Sequence, residues 1–305
     1  MTETKKDFID LTQFNKDELI FLIEDGINKK SISAKNGMAS VDEDACAKDK
    51  ILATIFEKPS TRTRFSFETA MYQLGGKTIY ANMSDMQLGR GETIDDTAKV
   101  ISRYVDIVML RTNKHSTLEN FAKNASIPVI NGLTDKSHPC QVLADLITVK
   151  EKIGDIESKS YVWFGPANNM LTSWIHAAQI IGFELRICSP KDYSVDSNLV
   201  GDFPNITTDL DPNDAAKDCD CIITDTWFSM GEDDNDKKRK ILEPYKVDPN
   251  KISMASSDAI FLHCLPAHRG EEVDADVIDG VNSVVWDEAE NRVHAQKSII
   301  RWCLS

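Results

Sequence analysis

The side chains best suited to bind an anion lie in residues 56–64, Phe-Glu-Lys-Pro-Ser-Thr-Arg-Thr-Arg. The apolar run before them, residues 51–55, predicts a buried strand, and the residues after them have apolar side chains at helical spacing as far as Gly75. The hydroxyls and guanidiniums would then lie at a helix N-terminus, where free N–H groups and the helix dipole favour negative charge. Guanidiniums also bind phosphate oxygens through paired hydrogen bonds. Taken alone, the segment is equally typical of a phosphate site and of capping hydroxyls beside solvated arginines.

Two further charged residues come directly after apolar runs that predict strands. Arg111 follows residues 105–110, and Asp225 follows residues 221–224. Ligands of parallel α/β sheets bind at the carboxyl ends of the strands, so both positions are candidates for contact with a substrate. Two structural roles stay open at this stage: a surface residue for Arg111, and a helix or turn cap for Asp225.

His138 and Gln141 lie at the start of another predicted helix. Pro139 takes the favoured first position of that helix, whose apolar side chains keep a helical period to about residue 153. A histidine at this point could polarise a carbonyl oxygen that gains negative charge, or could simply cap the helix. The Gln141 amide offers both a donor and an acceptor, which suits a substrate that is itself an amide.

Together these motifs resemble those of the carbamoyltransferase family. Its Ser-x-Arg-Thr-Arg signature corresponds to residues 60–64, and its His-Pro-x-Gln element to residues 138–141. Residues 225–231, 263–270 and 291–296 resemble further elements of the ornithine-specific branch. All of these elements occur in the family's order and are spread over nearly the whole chain.

The resemblance implies a reaction as well as a fold. The chain would transfer the carbamoyl group of carbamoyl phosphate to the side-chain amine of L-ornithine, giving L-citrulline and phosphate. The reaction is a step of arginine biosynthesis, and the sequence leaves open whether it runs in that direction or in citrulline breakdown. No cofactor or metal ion is implied. An aspartate-specific enzyme is disfavoured, because its substrate would need cations where this chain has Asp225. The sequence also leaves open a putrescine-specific enzyme and an inactive homologue that only binds anions, although the charged motif residues are all retained.

The resemblance also implies two sets of ligand residues and four catalytic roles. Arg111 and His138 would stabilise the oxyanion, while Asp225 and Cys264 would orient the amine. Carbamoyl phosphate would be bound by Ser60, Thr61, Arg62, Thr63, Gln87, Arg111, His138, Pro139, Cys140, Gln141, Cys264, Leu265 and Arg292. Ornithine would be bound by Asn169, Asp225, Ser229 and Met230. Residues 165–167, Gly-Pro-Ala, depart from the family's usual Gly-Asp sequence, which leaves the shape of the loop before Asn169 open.

The neighbouring pair His263 and Cys264 could suggest a thiol–imidazole nucleophile. Successive residues of a strand point to opposite faces, so we expect no such dyad unless the strand breaks between them. The resemblance instead implies a non-covalent role for Cys264. The turn at residues 165–169 is not Gly-x-Gly-x-x-Gly, and no Walker loop or HExxH pair occurs in the sequence, which disfavours a nucleotide or metal site.

Strand-like and helix-like runs alternate along the chain, which predicts an α/β fold of two similar-sized domains, each a parallel sheet flanked by helices. We expect a carbamoyl phosphate-binding domain at residues 1–150 and an ornithine-binding domain at residues 151–305. A last helix at about residues 289–305 would, by resemblance, return to the first domain. The predicted strands lie near 51–56, 78–81, 105–110, 128–131, 161–165, 184–188, 220–224, 259–263 and 283–286.

Composition limits the partners and the location. The chain has 305 residues and a net charge of −14, which argues against nonspecific binding to nucleic acid or anionic membranes. It has no apolar run of about 18 residues that could span a membrane. Its 7 cysteines lack metal-ligand spacing and indicate reduced thiols in the cytoplasm. By resemblance we also expect a homotrimer or a multiple of trimers.

Overall fold

Two parallel β-sheets form the frame of the fold, and most of the candidate residues that the structure describes follow the carboxyl ends of their strands. A computed structural model describes residues 5–87, 91–228, 232 and 235–305, without the side chains of residues 34–36. The chain divides into a first unit, residues 1–144 and 290–305, and a second unit, residues 145–289.

The sheet of the first unit has the order β2-β1-β3-β4, with all neighbours parallel. Its inner strands β1 and β3 are almost wholly apolar because helices cover both faces of a parallel sheet. The chain enters the sheet at β1 and adds β2 on one side and β3 on the other, so the order reverses between β1 and β3. The strands are β1 (Ile51–Phe56), β2 (Lys77–Asn82), β3 (Ile107–Arg111) and β4 (Val129–Leu133).

Helices alternate with these strands. The helices of the first unit are α1 (Lys16–Asn36), α2 (Thr61–Gln73), α3 (Ile94–Ile101) and α4 (His115–Asn124). Two longer helices, α5 (Pro139–Ile153) and α11 (Val285–Leu304), have residues in both units.

The sheet of the second unit has the order β7-β6-β5-β8-β9 and is also parallel throughout. Here the order reverses between β5 and β8. Its strands are β5 (Ser160–Phe164), β6 (Glu184–Cys188), β7 (Ile206–Thr207), β8 (Cys221–Thr224) and β9 (Ile260–His263). Its helices are α6 (Asn169–Ile181), α7 (Ser197–Val200), α8 (Asp236–Leu242), α9 (Pro249–Met254) and α10 (Ala275–Ile278).

The predicted α/β architecture is confirmed, with a C-terminal helix that returns to the first unit; residues 290–305 of this helix belong to that unit. One predicted strand, residues 283–286, is wrong. Ser283 makes only an isolated bridge to Phe261, and Val285 already begins α11. Asp287 and Glu288 lie in the first turn of that helix, where the helix dipole favours carboxylates, and this outweighs the strand propensity of the preceding valines. The two-residue strand β7 was not predicted.

One edge of the first sheet has apolar side chains in contact with solvent. β2 is an edge strand, and its Ile79 and Tyr80 are 49% and 38% exposed. Phe65 and Tyr72 of α2 are also exposed. We call these four side chains the β2 surface. Among the described residues, no helix has both the length and the apolar composition required to cross a lipid bilayer.

Candidate active site

The turn from β1 into α2 brings the predicted hydroxyl and guanidinium groups to a helix N-terminus. Ser60 is the N-cap residue, with extended backbone, and Thr61 begins the helix. The Ser60 side chain makes no capping hydrogen bond. The interpretation of this segment as a cluster of capping hydroxyls therefore has no support at the cap position itself, and the first N–H groups of α2 remain free to face an anion.

Two arginines from distant parts of the sequence converge on one hydroxyl in the first turn of α2. Arg111 Nη1 and Arg292 Nη2 donate to Thr63 Oγ1 at 2.8 Å and 2.7 Å. Arg111 is the last residue of β3, as predicted, and Arg292 comes from α11. All three side chains are buried, with Thr63 0% exposed. We call them the anion cluster, because two buried positive charges beside a helix N-terminus attract an anion strongly.

His138 is a neutral imidazole in this environment. Burial lowers its pKa well below the ordinary 6.5, and the charges of Arg292, Arg111 and Arg62 lower it further. A neutral histidine still has one ring N–H, so it can donate a hydrogen bond to an oxygen that gains negative charge without first having to lose a proton. His138 directly precedes α5, and its carbonyl accepts from the Gln141 backbone N–H.

The other two residues of this motif are buried as well. Gln141 is 1% exposed. The Cys140 thiol donates to the Asn131 carbonyl at 3.2 Å, and burial raises its pKa to about 12. Cys140 is therefore an unreactive thiol directed at β4, and any contact it makes with a ligand would be through its backbone.

Glu57 is a residue of this region that the sequence did not identify. Its carboxylate accepts from Thr112 Oγ1 and the Asn113 backbone N–H, both at 2.6 Å. Its own N–H donates to the Arg111 carbonyl at 2.8 Å. Burial alone would raise the Glu57 pKa, but the hydrogen bonds outweigh burial and lower it. Glu57 therefore fixes the end of β1 against the end of β3, the two strands that lead to the anion cluster.

A second buried polar group holds α11 against α2 within the first unit. Lys297 Nζ donates to Asp42 Oδ1 at 2.8 Å, Ser33 Oγ at 3.0 Å and Gln73 Oε1 at 3.1 Å, and Lys297 is 0% exposed. Gln73 is the last residue of α2. The two helices are therefore linked at both ends of α2, by Arg292 at its start and by Lys297 at its end.

In the second unit, Asp225 and Cys264 follow two paired strands. Thr224 of β8 is opposite His263 of β9, so the next residue of each strand reaches the same edge of the sheet. The Cys264 thiol donates to Asp225 Oδ1 at 3.2 Å. Burial raises the pKa of this thiol well above its usual 9.0, and the Asp225 carboxylate raises it further. Cys264 is therefore a protonated thiol that serves as a hydrogen-bond donor.

The expectation that His263 and Cys264 form no nucleophilic dyad agrees with their hydrogen bonds. The Leu265 backbone N–H donates to His263 Nδ1 at 2.9 Å, so Nδ1 is an acceptor and the ring proton lies on Nε2. Nε2 in turn lies 3.2 Å from Glu272 Oε1. Both ring nitrogens are thus occupied, and neither can take the thiol proton. Leu265 itself has a φ of 58°, a strained backbone conformation of the kind that concentrates at functional sites.

Two adjacent asparagines at the start of α6 have different roles. Asn168 is the N-cap, and its Oδ1 accepts from the N–H groups of Met170 and Leu171 at 2.9 Å and 3.1 Å. Asn169, the predicted ornithine ligand, is the first helical residue and is not the cap. The unusual sequence before them forms a loop in which the Ala167 N–H donates to the Tyr193 carbonyl at 2.8 Å.

For three predicted site residues, the structure does not test the predicted contacts with substrate. Gln87 is exposed and is the last described residue before the segment 88–90. Ser229 and Met230 lie outside the described residues. Their predicted contacts with substrate stay predictions.

The chain matches one protein family along nearly its whole length. The family model for the aspartate/ornithine carbamoyltransferase carbamoyl-P binding domain matches residues 6–151, and the model for the Asp/Orn binding domain of the same family matches residues 157–303. An ornithine carbamoyltransferase of Caulobacter vibrioides is 50% identical over 300 residues, which cover 97% of this chain and 96% of that protein.

Solved structures give the same result. The ornithine carbamoyltransferase from Pyrococcus furiosus superposes with a TM-score of 0.90 at 43% identity, covering 98% of this chain and 97% of that one. The ornithine carbamoyltransferase from Burkholderia thailandensis superposes with a TM-score of 0.88 at 44% identity and covers 98% of both chains.

Proposed function

Because the chain belongs to the aspartate/ornithine carbamoyltransferase family, we propose that it transfers the carbamoyl group of carbamoyl phosphate to the side-chain amine of L-ornithine, giving L-citrulline and phosphate. The observation that carries the choice of ornithine is the Asp225 carboxylate at the end of β8, held in place by hydrogen bonds. A carboxylate attracts the amine of ornithine and repels the side chain of aspartate.

Most of the proposed ligands of carbamoyl phosphate belong to the first unit. The phosphate dianion would lie at the start of α2, bound by the backbone and side chains of the turn and by the guanidiniums now held on Thr63. A phosphate oxygen can accept from the same N–H groups that Thr63 Oγ1 accepts from, and two negative charges would offset the repulsion between Arg111 and Arg292. The ligand set for this substrate is Ser60, Thr61, Arg62, Thr63, Gln87, Arg111, His138, Pro139, Cys140, Gln141, Cys264, Leu265 and Arg292.

The chemistry is direct acyl transfer. The neutral side-chain amine of ornithine attacks the carbonyl carbon, and the carbonyl oxygen becomes an oxyanion that accepts hydrogen bonds from Arg111, the neutral His138 and a hydroxyl of the turn before α2. The bond from that carbon to the phosphate oxygen then breaks, and the phosphate leaves with the electron pair. The departing phosphate takes the surplus proton of the amine, so no further base is required.

Ornithine binding falls to the second unit. Asp225 would accept a hydrogen bond from the side-chain amine, and the Cys264 thiol, which stays protonated, would keep the carboxylate in position. Asn169, with Ser229 and Met230, would bind the amino-acid end of the substrate. A site that bonds a polar group rejects analogues that lack it, because its own buried groups are then left unpaired.

The test is a competition assay in which purified protein is offered carbamoyl phosphate with ornithine, putrescine and aspartate together. Citrulline should be the main product, putrescine should be used less well by about 100-fold or more in kcat/KM, and aspartate should be inert. Equal use of putrescine would refute the choice of ornithine but keep carbamoyl transfer. No carbamoylated product from any amine would refute the function.

We propose in addition that the chain forms a homotrimer, or a multiple of trimers, in the cytoplasm. The β2 surface supports this, since Phe65 and Ile79 are exposed apolar side chains beside an unpaired strand edge. Light scattering should give the mass of a trimer for the parent and a smaller mass for Ile79→Lys. Phe203→Lys, at an exposed apolar residue of the second unit, is the control. A parent that is fully active as a monomer would refute the assembly.

A further inference from the structure

The side chain of Asn168 makes two separate sets of hydrogen bonds. Its Oδ1 accepts from the first N–H groups of α6, and its Nδ2 donates to Asp225 Oδ2 at 2.7 Å. The two sets fix each other, because an amide oxygen occupied by two N–H donors leaves only the NH2 group to face the carboxylate. The N–H groups of α6 therefore fix the orientation of the Asn168 amide, with its Oδ1 toward the helix and its Nδ2 toward Asp225.

The position of this contact in the fold points to a ligand. Asn168 follows β5 and Asp225 follows β8, the two strands between which the order of the sheet reverses. In open parallel sheets, ligands bind outside the carboxyl ends of the strands at this point of reversal. A hydrogen bond between side chains from the two loops therefore lies where substrate is expected in the second unit.

The two oxygens of Asp225 are not equivalent. Oδ1 accepts from the Thr226 backbone N–H at 2.8 Å and from the Cys264 thiol at 3.2 Å. Oδ2 accepts from Asn168. A carboxylate oxygen can accept about two hydrogen bonds, so Oδ2 is the oxygen with capacity for a substrate donor.

We propose that Asn168 is a positioning residue that holds Asp225 so that Oδ2 faces the substrate amine. This inference rests on the proposed function, because the amine is that of ornithine. Without the Asn168 donor, only the two hydrogen bonds to Oδ1 would resist rotation of the carboxylate about its soft χ2 torsion, and the amine would meet an acceptor that is less well fixed. Asn168 is not among the proposed carbamoyl phosphate ligands, so its replacement should act mainly on the use of ornithine.

Two substitutions separate this role from helix capping. Asn168→Ser keeps an N-cap hydroxyl but is too short to reach Asp225, and Asn168→Asp keeps an excellent N-cap but places a second carboxyl beside Asp225. Both variants should fold, because the cap of α6 is retained in each. If Asn168 only caps the helix, Asn168→Ser should behave as the parent does.

Asn168→Ser should lower kcat/KM for ornithine by about 10- to 100-fold, the effect of one lost hydrogen bond to a charged group. The KM for carbamoyl phosphate should stay within about twofold of the parent, since that substrate does not depend on this bond. An unchanged kcat/KM for ornithine in an active protein would overturn the proposal. An equal rise in the KM of both substrates would overturn it as well. A parent that makes no citrulline would instead overturn the proposed function.

Asn168→Asp adds a test by pH. Two adjacent carboxyls share a proton at acidic pH, and the protonated carboxyl can donate to Asp225 as the Asn168 amide does, whereas two carboxylates repel each other. The ratio of variant to parent activity should therefore rise as the pH falls. The carboxylates of Glu288 and Asp145, which also act on the Cys264 thiol, are common to both proteins and cancel in the ratio. A ratio that is flat or falls toward acidic pH would indicate capping alone, because an ionised carboxylate is the better cap.

Discussion

Replacing Thr63 by valine should remove the acceptor that holds two guanidiniums together while keeping the shape of the side chain. In the parent, Arg111 and Arg292 both donate to Thr63 Oγ1, in surroundings where Thr63 is 0% exposed. The valine methyl group cannot accept a hydrogen bond, and it excludes the water that would otherwise do so. Each arginine then loses one charge-assisted bond, and the two positive charges lose the group that lies between them.

The expected size of the effect follows from these two bonds. Loss of one hydrogen bond to a charged group costs about 1.5–3 kcal/mol, so two give an upper bound of about 3–6 kcal/mol on the free energy of unfolding of the ligand-free protein. For the reaction, misplaced guanidiniums remove charge stabilisation worth about 3–4 kcal/mol, or on the order of 10²–10³ in kcat/KM for carbamoyl phosphate. Thr63→Ser keeps the hydroxyl and should lose far less by both measures.

Two measurements check this reasoning: the kcat/KM for carbamoyl phosphate and the thermal midpoint of the ligand-free protein, each for the parent, Thr63→Val and Thr63→Ser. We expect the valine variant alone to fall substantially. If the valine variant matches the serine variant in both measurements, the Thr63 hydroxyl does not hold Arg111 and Arg292 in solution, and the geometry we assign to the anion cluster is wrong.

Three further predictions concern other buried groups. Since the pKa of His138 is lowered below 6.5, the free energy of unfolding should fall as the pH drops below 6.5. His138→Asn should lessen this fall, measured by urea unfolding, and should lower kcat by about 10²–10³-fold. Because burial and Asp225 raise the pKa of the Cys264 thiol, iodoacetamide should label Cys264 slowly at neutral pH, and Asp225→Asn should speed labelling as followed by peptide mass. Lys297→Met should destabilise the protein by up to about 3–5 kcal/mol, because the buried Asp42 carboxylate keeps only its longer ion pair with Lys29, at 3.7 Å. Adding Asp42→Asn should restore part of that loss; additive effects would contradict the pairing of Lys297 with Asp42.

Local sequence patterns were sufficient to predict the frame of the fold and the first-turn position of the Ser60 segment. Apolar runs followed by turn residues mark buried parallel strands, and the residue after each run lies at the carboxyl edge of its sheet. This placed Arg111 and Asp225 correctly. The error at residues 283–286 arose because valines favour a strand, whereas the acidic residues after them favour the start of a helix.

Contacts between distant parts of the chain could not be predicted in the same way. Lys297 and Asp42 are 255 positions apart, and neither has a pattern around it that indicates a buried partner. The role of Glu57 depends on the register of β1 against β3. Which of Asn168 and Asn169 is the N-cap depends on which residue begins α6, and two adjacent asparagines in a sequence do not show this.

The helix α11 determines the order in which the protein can be completed during synthesis. Residues 290–305 belong to the first unit, yet the ribosome makes them after the whole second unit. Until they emerge, Thr63 lacks Arg292 and Asp42 lacks Lys297, two contacts of the finished protein. The second unit is continuous in sequence and can form as soon as residue 289 has left the ribosome. The half of the chain that is synthesised first is therefore the half that is finished last, and a fragment of residues 1–150 should bind phosphate poorly.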